Sequence, residues 1–378
     1  MQTVSGGRLK LRWGGVGLVL LGIVAVGGVL LAATPTGRYL VRAAWEEGKI
    51  LRGRRSIEGI VRQARADSAA STAPQTASSA PALDAVTVGK LELVLQARDF
   101  ARDSLGFPVK ETFTQFTQLE RDTLVLVLSG ARQDALVAKT WWFPVVGRVP
   151  YKGFFDFDAA RKAERAVQRE GYDTYLRPAS AFSTLGWFND PLLSSTLRAD
   201  SVDLVNTVIH ELTHNHYFAK NEVVFNESFA NFVGARGAER FFLARADSFS
   251  ARQSVARWAD DRVLAAYWAV LYRSVDSAFK AHEGDSLRSQ RITLRDSIYS
   301  AARRTLVDSI APLLRTLPPA YAERVKLDNA ALMGRRIYLT DLEAFEREYE
   351  ESGGDLLRAV SSIVGKHRRG AWGVAVPE

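Results

Sequence analysis

Two histidines and a glutamate share one five-residue motif, His210-Glu-Leu-Thr-His214. Histidines at positions i and i+4 of an α-helix differ in direction by about 40°, so both imidazole rings project from one face. Such a pair chelates a divalent metal such as Zn²⁺. Glu211 lies about 100° around the helix, where its carboxylate can reach a metal-bound water without binding the metal. The motif predicts a hydrolytic zinc site with His210 and His214 as ligands and Glu211 as general base.

A catalytic zinc site also needs a third protein ligand and one position left open for water. The chain has no cysteine and only five histidines. His216 would point about 240° away from His210, so we expect it to pack or to cap the helix. The third ligand is therefore predicted to be a carboxylate, and Glu227 within Phe225-Asn-Glu-Ser-Phe-Ala-Asn231 is the best candidate. Two acids are weaker alternatives, Glu222 and Glu239.

The residues around both motifs indicate helices whose apolar faces lie opposite their ligands. With His210 at 0°, the apolar side chains fall between about 120° and 260°. These are Leu204, Val205, Val208, Ile209 and Leu212. With Glu227 at 0°, three phenylalanines cluster at about 140–200°, namely Phe225, Phe229 and Phe232. Two helices packed through these faces would turn the two imidazoles and the carboxylate towards one point. Asn231 and Tyr217 would lie near that point, as pocket lining or as ordinary polar residues.

Composition excludes several classes of protein. The hydrophobic fraction of 47% and charged fraction of 24% are those of a globular chain. The absence of cysteine excludes a disulfide scaffold and a thiol nucleophile. Residues 1–65 contain eleven Lys/Arg and three Glu, so the whole net charge of +8 lies there, and the rest balances 39 basic against 39 acidic residues. The main body therefore has no positive field for phosphate backbones, and we expect no nucleic-acid partner.

The N-terminal region reads as a membrane anchor followed by a spacer. A run of 21 uncharged residues begins at Trp13. As a helix it would be about 30 Å long, which matches the hydrocarbon core of a bilayer. A cleaved signal peptide is the alternative interpretation. The predicted organisation is a basic segment at 1–12, a transmembrane anchor at 13–34, a basic helical stalk at 35–66, a Ser/Ala/Thr/Pro linker at 67–82 and a body at 83–378.

The body is predicted to be a helix-rich α+β fold, zincin-like, with a small sheet before the two motif helices and further helices at its C-terminus. Short apolar runs bounded by turn residues indicate strands. They lie at 124–128, 141–146, 172–176 and 181–187. Longer 3.6-residue patterns indicate helices. They lie from Leu91 to 102, at 157–170, in a pair over 251–315 interrupted near Gly284, at 329–351 and at 356–367.

The two motifs and several other segments resemble known families. The motif His210–His214 followed by Asn226-Glu-Ser-Phe-Ala230 is similar to the gluzincin zinc peptidases. A fuller resemblance is to a bacterial "putative aminopeptidase" family of exported zinc proteins. The matching segments are Tyr39–Ala44, Lys139–Gly147, Tyr151–Phe155, Ala181–Leu192, both motif helices and Asp328–Ala331 onward.

The resemblance implies a zinc peptidase, an aminopeptidase by family name, acting on peptides or proteins. It also implies a single-pass protein of the bacterial inner membrane with its catalytic body in the periplasm. Two features depart from the family. Many relatives resemble lipoproteins anchored through a cysteine, which this chain lacks, and the linker at 67–82 reads as an insertion. Neither departure alters the predicted site.

Further roles follow from the expected hydrolysis of a peptide bond. An oxyanion needs a hydrogen-bond donor, and Tyr338, Arg335 and Arg336 are candidates in a family-like segment. The strand at 181–187 could pair with an extended substrate, and Asp190 beside it could bind a free amine.

A membrane-tethered zinc scaffold without peptidase activity is the main alternative. A partner-binding protein based on helices 251–315 is another, although that region would more readily flank or cover the cleft. Substrate, cleavage position and oligomeric state are left open.

Overall fold

A computed structural model describes residues 34–69, 83–143, 147–178 and 191–372. The chain divides into two compact units, one ending at Arg52 and one beginning at Gly53. In the described part of the first unit, helix α1 (Pro35–Arg52) contains two ion pairs. Glu46 pairs with Arg42 at 2.9 Å and with Lys49 at 2.7 Å.

No helix in the described ranges combines the length and the apolar character needed to cross a bilayer. The predicted anchor at 13–34 lies outside those ranges, apart from Thr34. The structure therefore does not support the anchor, which stays a prediction from the sequence.

The strands described in the second unit form three small sheets, and all of them precede residue 201. Sheet order is β1-β2-β8, β6-β3-β7 and β4-β5. The strands are β1 (Arg55–Ser56), β2 (Gln115–Thr117), β3 (Leu126–Arg132), β4 (Trp141–Phe143), β5 (Gly147–Val149), β6 (Tyr151–Phe154), β7 (Tyr172–Pro178) and β8 (Leu192–Leu193). The sheet β6-β3-β7 is antiparallel throughout and the β2–β8 pair is parallel.

Helices form most of the unit. They are α2 (Ile57–Ala69), α3 (Ala85–Asp103), α4 (Phe157–Arg169), α5 (Ser201–His216), α6 (Val223–Ala244), α7 (Ser248–Lys280), α8 (Arg288–Thr305), α9 (Ala320–Arg324), α10 (Asn329–Arg336), α11 (Leu342–Glu351) and α12 (Leu356–Arg368). The prediction of a helix-rich α+β fold with small sheets is confirmed. The helical pair around Gly284 is present as α7 and α8.

Several segments differ from their predicted extents, and α3 already begins at Ala85, before the predicted start at Leu91. The predicted stalk at 35–66 is two helices separated by Gly53–Ser56, and α2 buries Ile57 in the main core because its apolar face meets α3. The strand expected at 124–128 lies at 126–132, where the ladder with β7 fixes its extent. Parts of other predictions lie outside the described residues, namely 70–82 of the linker, 144–146, and the strand at 181–187.

The predicted helix at 329–351 is also interrupted. It divides into α10 and α11, separated by residues 337–341, and Asp341 adopts a left-handed conformation with φ of 58°. Ser228 on α6 stabilises the break, because its hydroxyl donates to the Ile337 carbonyl at 3.3 Å and accepts from the Thr340 amide at 3.1 Å. These two bonds satisfy backbone groups that a continuous helix would have paired internally.

The two motif helices, α5 and α6, cross at very short range. Two glycines on α6 permit this approach. A Cβ on Gly234 would lie 2.4 Å from Oδ1 and 3.0 Å from the carbonyl oxygen of Asn206, and one on Gly237 would lie 2.8 Å from Ile209 Cγ2. The apolar faces predicted for both helices are buried in one core, with Leu204, Ile209 and Phe229 at most 1% exposed.

We therefore expect Gly234→Ala to push the two helices apart. Overpacking of a tight interface typically costs about 1–3 kcal/mol in the free energy of unfolding, and here it would also separate the groups that α5 and α6 bring together. Chemical denaturation should show the loss. Gly89→Ala is the matched control, since a Cβ there meets nothing within 4 Å and Ala favours the helix by up to about 1 kcal/mol. Equal stabilisation by both substitutions would contradict the close contact.

Candidate metal centre

The side chains of His210, His214 and Glu227 converge at the crossing of α5 and α6. Nε2 of His210 lies 3.3 Å from Oε2 of Glu227, and Nε2 of His214 lies 3.6 Å from Oε1 of the same carboxylate. One donor atom from each residue lies within 4.8 Å of the other two. The three side chains are 13–21% exposed, so they line an accessible cleft rather than a sealed core.

These separations fit a tetrahedral zinc site. Zinc bonds to imidazole nitrogen and carboxylate oxygen are about 2.0–2.2 Å, which makes each edge of the tetrahedron about 3.3–3.5 Å. The two measured nitrogen–oxygen distances, one to each oxygen of the Glu227 carboxylate, lie close to this range. The donor set of two imidazoles and one carboxylate is also one that catalytic zinc sites use with a fourth position for solvent. The residues present therefore fit the metal that the sequence motif predicts.

The position of α5 is fixed at its N-terminus. Asp200 caps the helix by accepting hydrogen bonds from the amides of Val202 and Asp203, both at 3.0 Å. Arg257 of α7 donates to both oxygens of Asp200 and pairs with Asp203. A charged cap of this kind accepts hydrogen bonds from first-turn amides that have no partner within the helix. Its negative charge also interacts favourably with the positive end of the helix dipole. It ties the helix that carries both imidazoles to its neighbour.

The side-chain amide of Asn226 holds the start of α6 in place, although the sequence motifs gave this residue no predicted role. The Asn226 side chain accepts from the backbone amide of Ala219 at 2.8 Å and donates to the carbonyl of the same residue at 2.7 Å. This pair clamps the short turn between α5 and α6. Because Glu227 is the next residue, the clamp fixes where its carboxylate enters the cleft. Nothing in the motif spacing indicates this contact.

Burial sets the charge state of His214, one of the predicted ligands. Burial, with a contribution from His210, lowers the pKa of His214 to about 4, so the ring is neutral at pH 7 and its lone pair can bind a metal. Within the described residues its Nδ1 atom has no hydrogen-bond partner. The ring is therefore oriented by its helix, with Nε2 facing Glu227.

The two carboxylates of the site are held in different states. Burial raises the pKa of Glu211, and the neighbouring Glu227 charge raises it further. For Glu227, burial alone would raise the pKa, but the hydrogen bond and charge of His210 and the charge of Arg177 outweigh it and lower the pKa. A ligand must be ionised, whereas a general base works best with a pKa near the working pH. The two environments match these two roles.

Tyr338 reaches the same cleft from the break between α10 and α11. Burial and the charges of Glu227 and Glu211 raise the pKa of its phenol, so the hydroxyl stays protonated. The guanidinium of Arg177 on β7 is also close enough to the phenol to act on it, and it lowers that pKa. Tyr338 was among the candidates predicted from the sequence, but Arg177 was not, because it lies on a strand well before the predicted ligands and belongs to no motif.

The other candidate residues have different surroundings. His216 stacks on Phe107, with ring centroids 4.5 Å apart, as expected of a packing residue. Glu222 pairs with His367 at 2.9 Å and Glu239 with Arg236 at 2.8 Å, so neither weaker candidate for the third ligand joins the site. Tyr217 contacts His367 at 2.9 Å.

The remaining polar candidates divide between the cleft and its surroundings. Arg335 and Arg336 lie over the rings of Trp268 and Tyr272, at 5.9 Å and 3.7 Å from the ring centroids. The Asn231 side chain donates a hydrogen bond to the backbone carbonyl of Tyr338 at 3.4 Å and so helps to fix the position of that residue. Asp190 lies outside the described residues, and its proposed contact with an amine stays a prediction.

One family model, described as "Putative aminopeptidase", matches residues 38–366. No curated protein and no solved structure matches the chain.

Proposed function

Because the chain belongs to the putative aminopeptidase family, we propose that it is a zinc-dependent peptidase that removes residues from the N-terminus of peptides or proteins. The observation that carries this proposal is the convergence of His210, His214 and Glu227, with Glu211 nearby as an acid outside that cluster. A purely structural zinc site has no use for that fourth side chain. The family name supports peptidase chemistry, and the donor set supports zinc.

The chain's own groups divide the work of hydrolysis. His210, His214 and Glu227 would hold Zn²⁺, which when bound polarises a carbonyl and makes a water easier to deprotonate. Glu211 would accept the proton of the attacking water and pass it to the departing amine. Its raised pKa suits both transfers. The protonated Tyr338 hydroxyl would donate a hydrogen bond to the oxygen on which negative charge develops.

The location of the protein is a separate proposal, in which the anchor rests on the sequence and the side of the membrane rests on the resemblance to exported proteins. The uncharged run beginning at Trp13 and the basic residues on both sides of it favour a single span at 13–34. We propose that this span anchors the protein in a bacterial inner membrane with the site on the periplasmic side.

Metal analysis combined with a peptide-library digest tests the function. We expect the purified full-length chain to contain one zinc per molecule and to release single N-terminal residues. A chelator should abolish hydrolysis, and added Zn²⁺ should restore it. Mass spectrometry of the products distinguishes removal of terminal residues from internal cleavage. A chain that binds no zinc, or that hydrolyses peptides equally well in a chelator, would contradict the proposal.

A further inference from the structure

A large aromatic ring lies at the turn between α5 and α6, beside a predicted ligand. The ring centroids of Phe218 and His214 are 6.0 Å apart, and the two ring planes are nearly perpendicular, at 76°. Phe218 is nevertheless 60% exposed, whereas Phe229 and Phe232 of the neighbouring helix are buried. The ring therefore lies against the edge of the metal centre and leaves most of its apolar surface at the mouth of the cleft.

The backbone on both sides of Phe218 is fixed, which keeps the ring on the outer side of the turn. Tyr217, which ends α5, is extended (φ −148°, ψ 130°), and successive side chains of extended backbone point to opposite sides. The Tyr217 hydroxyl lies 2.9 Å from Nδ1 of His367, and its ring packs against the main core. Ala219 is buried and is held by the Asn226 side chain at 2.8 and 2.7 Å. The two flanking residues thus face the core, and Phe218 faces the cleft.

Val223 has the corresponding place on the other metal helix. It is the first residue of α6 and is 55% exposed. Glu227 follows four residues later, so the two side chains share one face of the helix. Asn231, one turn beyond Glu227, is polar and donates to the backbone carbonyl of Tyr338 at 3.4 Å. The metal centre is therefore apolar on the side of the turn, through Phe218 and Val223, and polar in the opposite direction along α6.

A single exposed apolar side chain is ordinary on a protein surface, but these two lie where a bound peptide must pass. The Cα atoms on either side of a trans peptide bond are about 3.8 Å apart, so both side chains that flank a bond held at the metal lie near the ligands. One that extends towards the turn would cover Phe218 and Val223. Burial of apolar surface favours that contact. An amide or a charge there would lose water without gaining a hydrogen bond from either side chain.

We propose that Phe218 and Val223 form a specificity subsite for a large apolar side chain on one of the two residues joined by the scissile bond. This inference rests on the proposed function, since it requires that bond to lie at the metal. It deepens the function by naming the substrate class, which is peptides with a residue such as leucine at the point of cleavage. Phe218 and Val223 take no part in the chemistry and act only on the choice of substrate.

Paired peptides test the subsite in the full-length zinc-loaded protein. Each pair carries leucine or asparagine, which are similar in size but differ in polarity, at the first position or, in a second pair, at the second position. We expect the wild type to prefer leucine at one of these positions by about tenfold or more in kcat/KM. Phe218→Ala should reduce that ratio to about threefold or less, mainly by slowing cleavage of the leucine peptide. Val223→Thr, which adds a hydroxyl, should lower the ratio by about twofold.

Two further variants separate apolar character from other effects of the substitution. Phe218→Leu should keep most of the preference, because it retains an apolar side chain. Phe249→Ala is the matched control, since Phe249 is 66% exposed but follows the far end of α6, which lies about 25 Å along the helix from Glu227. This variant should keep the full ratio. All variants should contain as much zinc as the wild type, because the metal ligands are unchanged.

Binding of phosphinic peptide analogues, measured by calorimetry, provides a readout that does not require turnover. Analogues with a leucine or an asparagine side chain at the same position should show the same preference, and Phe218→Ala should remove it. A wild type without any preference for leucine would overturn the proposal, as would a preference that survives Phe218→Ala. Loss of zinc from Phe218→Ala would also overturn it, by assigning the ring to the support of His214. If the analogues show the expected preference but no peptide is cleaved, the proposed function is refuted and the subsite stands.

Discussion

Glu211→Gln should bind one equivalent of zinc and lose nearly all hydrolysis. Glutamine has the size of glutamate but cannot accept a proton, so the metal ligands are untouched while the general base is removed. General acid–base catalysis contributes roughly 10²–10⁴-fold, and we expect kcat to fall by that factor with KM little changed. Zinc content by mass spectrometry of the metal and initial rates on one peptide measure both parts of the prediction.

The burial of Glu211 adds a second expected consequence. Burial raises the pKa of this carboxyl in the folded chain, so ionisation there costs folding free energy as the pH rises through that pKa. The neutral amide removes the cost, and the variant should be at least as stable as the wild type above that pH. Glu239→Gln, which lies outside the site and pairs with Arg236, is the control and should retain full activity. Normal turnover by Glu211→Gln would remove the proposed mechanism and favour a zinc-binding scaffold.

The convergence of His210, His214 and Glu227 could be predicted from the sequence because helix geometry determines which side chains share a face. Residues four apart share a face whatever the rest of the fold does, and the apolar residues opposite His210 and Glu227 showed which faces pack. The structure brings these three side chains together as that reasoning expects. The helix-rich character of the chain followed from the same periodicity, since long apolar patterns at 3.6-residue spacing are the most dependable signal.

Features of the site that depend on distant contacts could not be predicted in this way. Tyr338 reaches the cleft only because Ser228 stabilises a break in what reads as one continuous helix. Arg177 arrives through the register of a strand with β3 and its packing against α10. The close approach at Gly234 depends on a neighbouring helix that the local sequence does not encode. Each of these is a tertiary constraint that overrides or supplements local preference.

Another tertiary feature is the carboxyl of Asp261 on α7. Burial raises its pKa to about 7, and the charges of Asp260 and Asp203 contribute. Asn231, whose side-chain amide donates to the Tyr338 carbonyl at 3.4 Å, acts in the opposite direction and lowers that pKa. From the sequence, Asp261 is one of three acids on the long helix α7, with Asp260 and Asp276. Only the packing of α6 against α7 distinguishes Asp261 from the other acids of its helix. The pattern of charges along one helix therefore carries little information about a cleft that several helices form.

We expect Glu227→Gln to lose zinc. Loss of the metal from this variant would distinguish Glu227, as the third ligand, from the other acids near the start of α6. The carboxylate supplies the only negative charge among the three predicted ligands, and the two imidazoles that would be left form an incomplete site. Outer-sphere substitutions alone typically weaken metal binding by about 10–100-fold, so we expect a loss of more than roughly 10²-fold for a direct ligand. Competition with a zinc chelator of known affinity measures it, and hydrolysis should fall in proportion to the bound metal.

Glu222→Gln is the matched control for this prediction. Glu222 lies five residues earlier, is also close to the start of α6, and pairs with His367 rather than with the imidazoles of α5. A glutamine there can still accept a hydrogen bond from His367, so the fold around Phe225 should persist and zinc affinity should stay within about twofold of the wild type. If instead Glu222→Gln released the metal and Glu227→Gln retained it, the third ligand would be wrongly assigned. The convergence of α5 and α6 would then have a purely structural role, because the distances that define the site all end on Glu227.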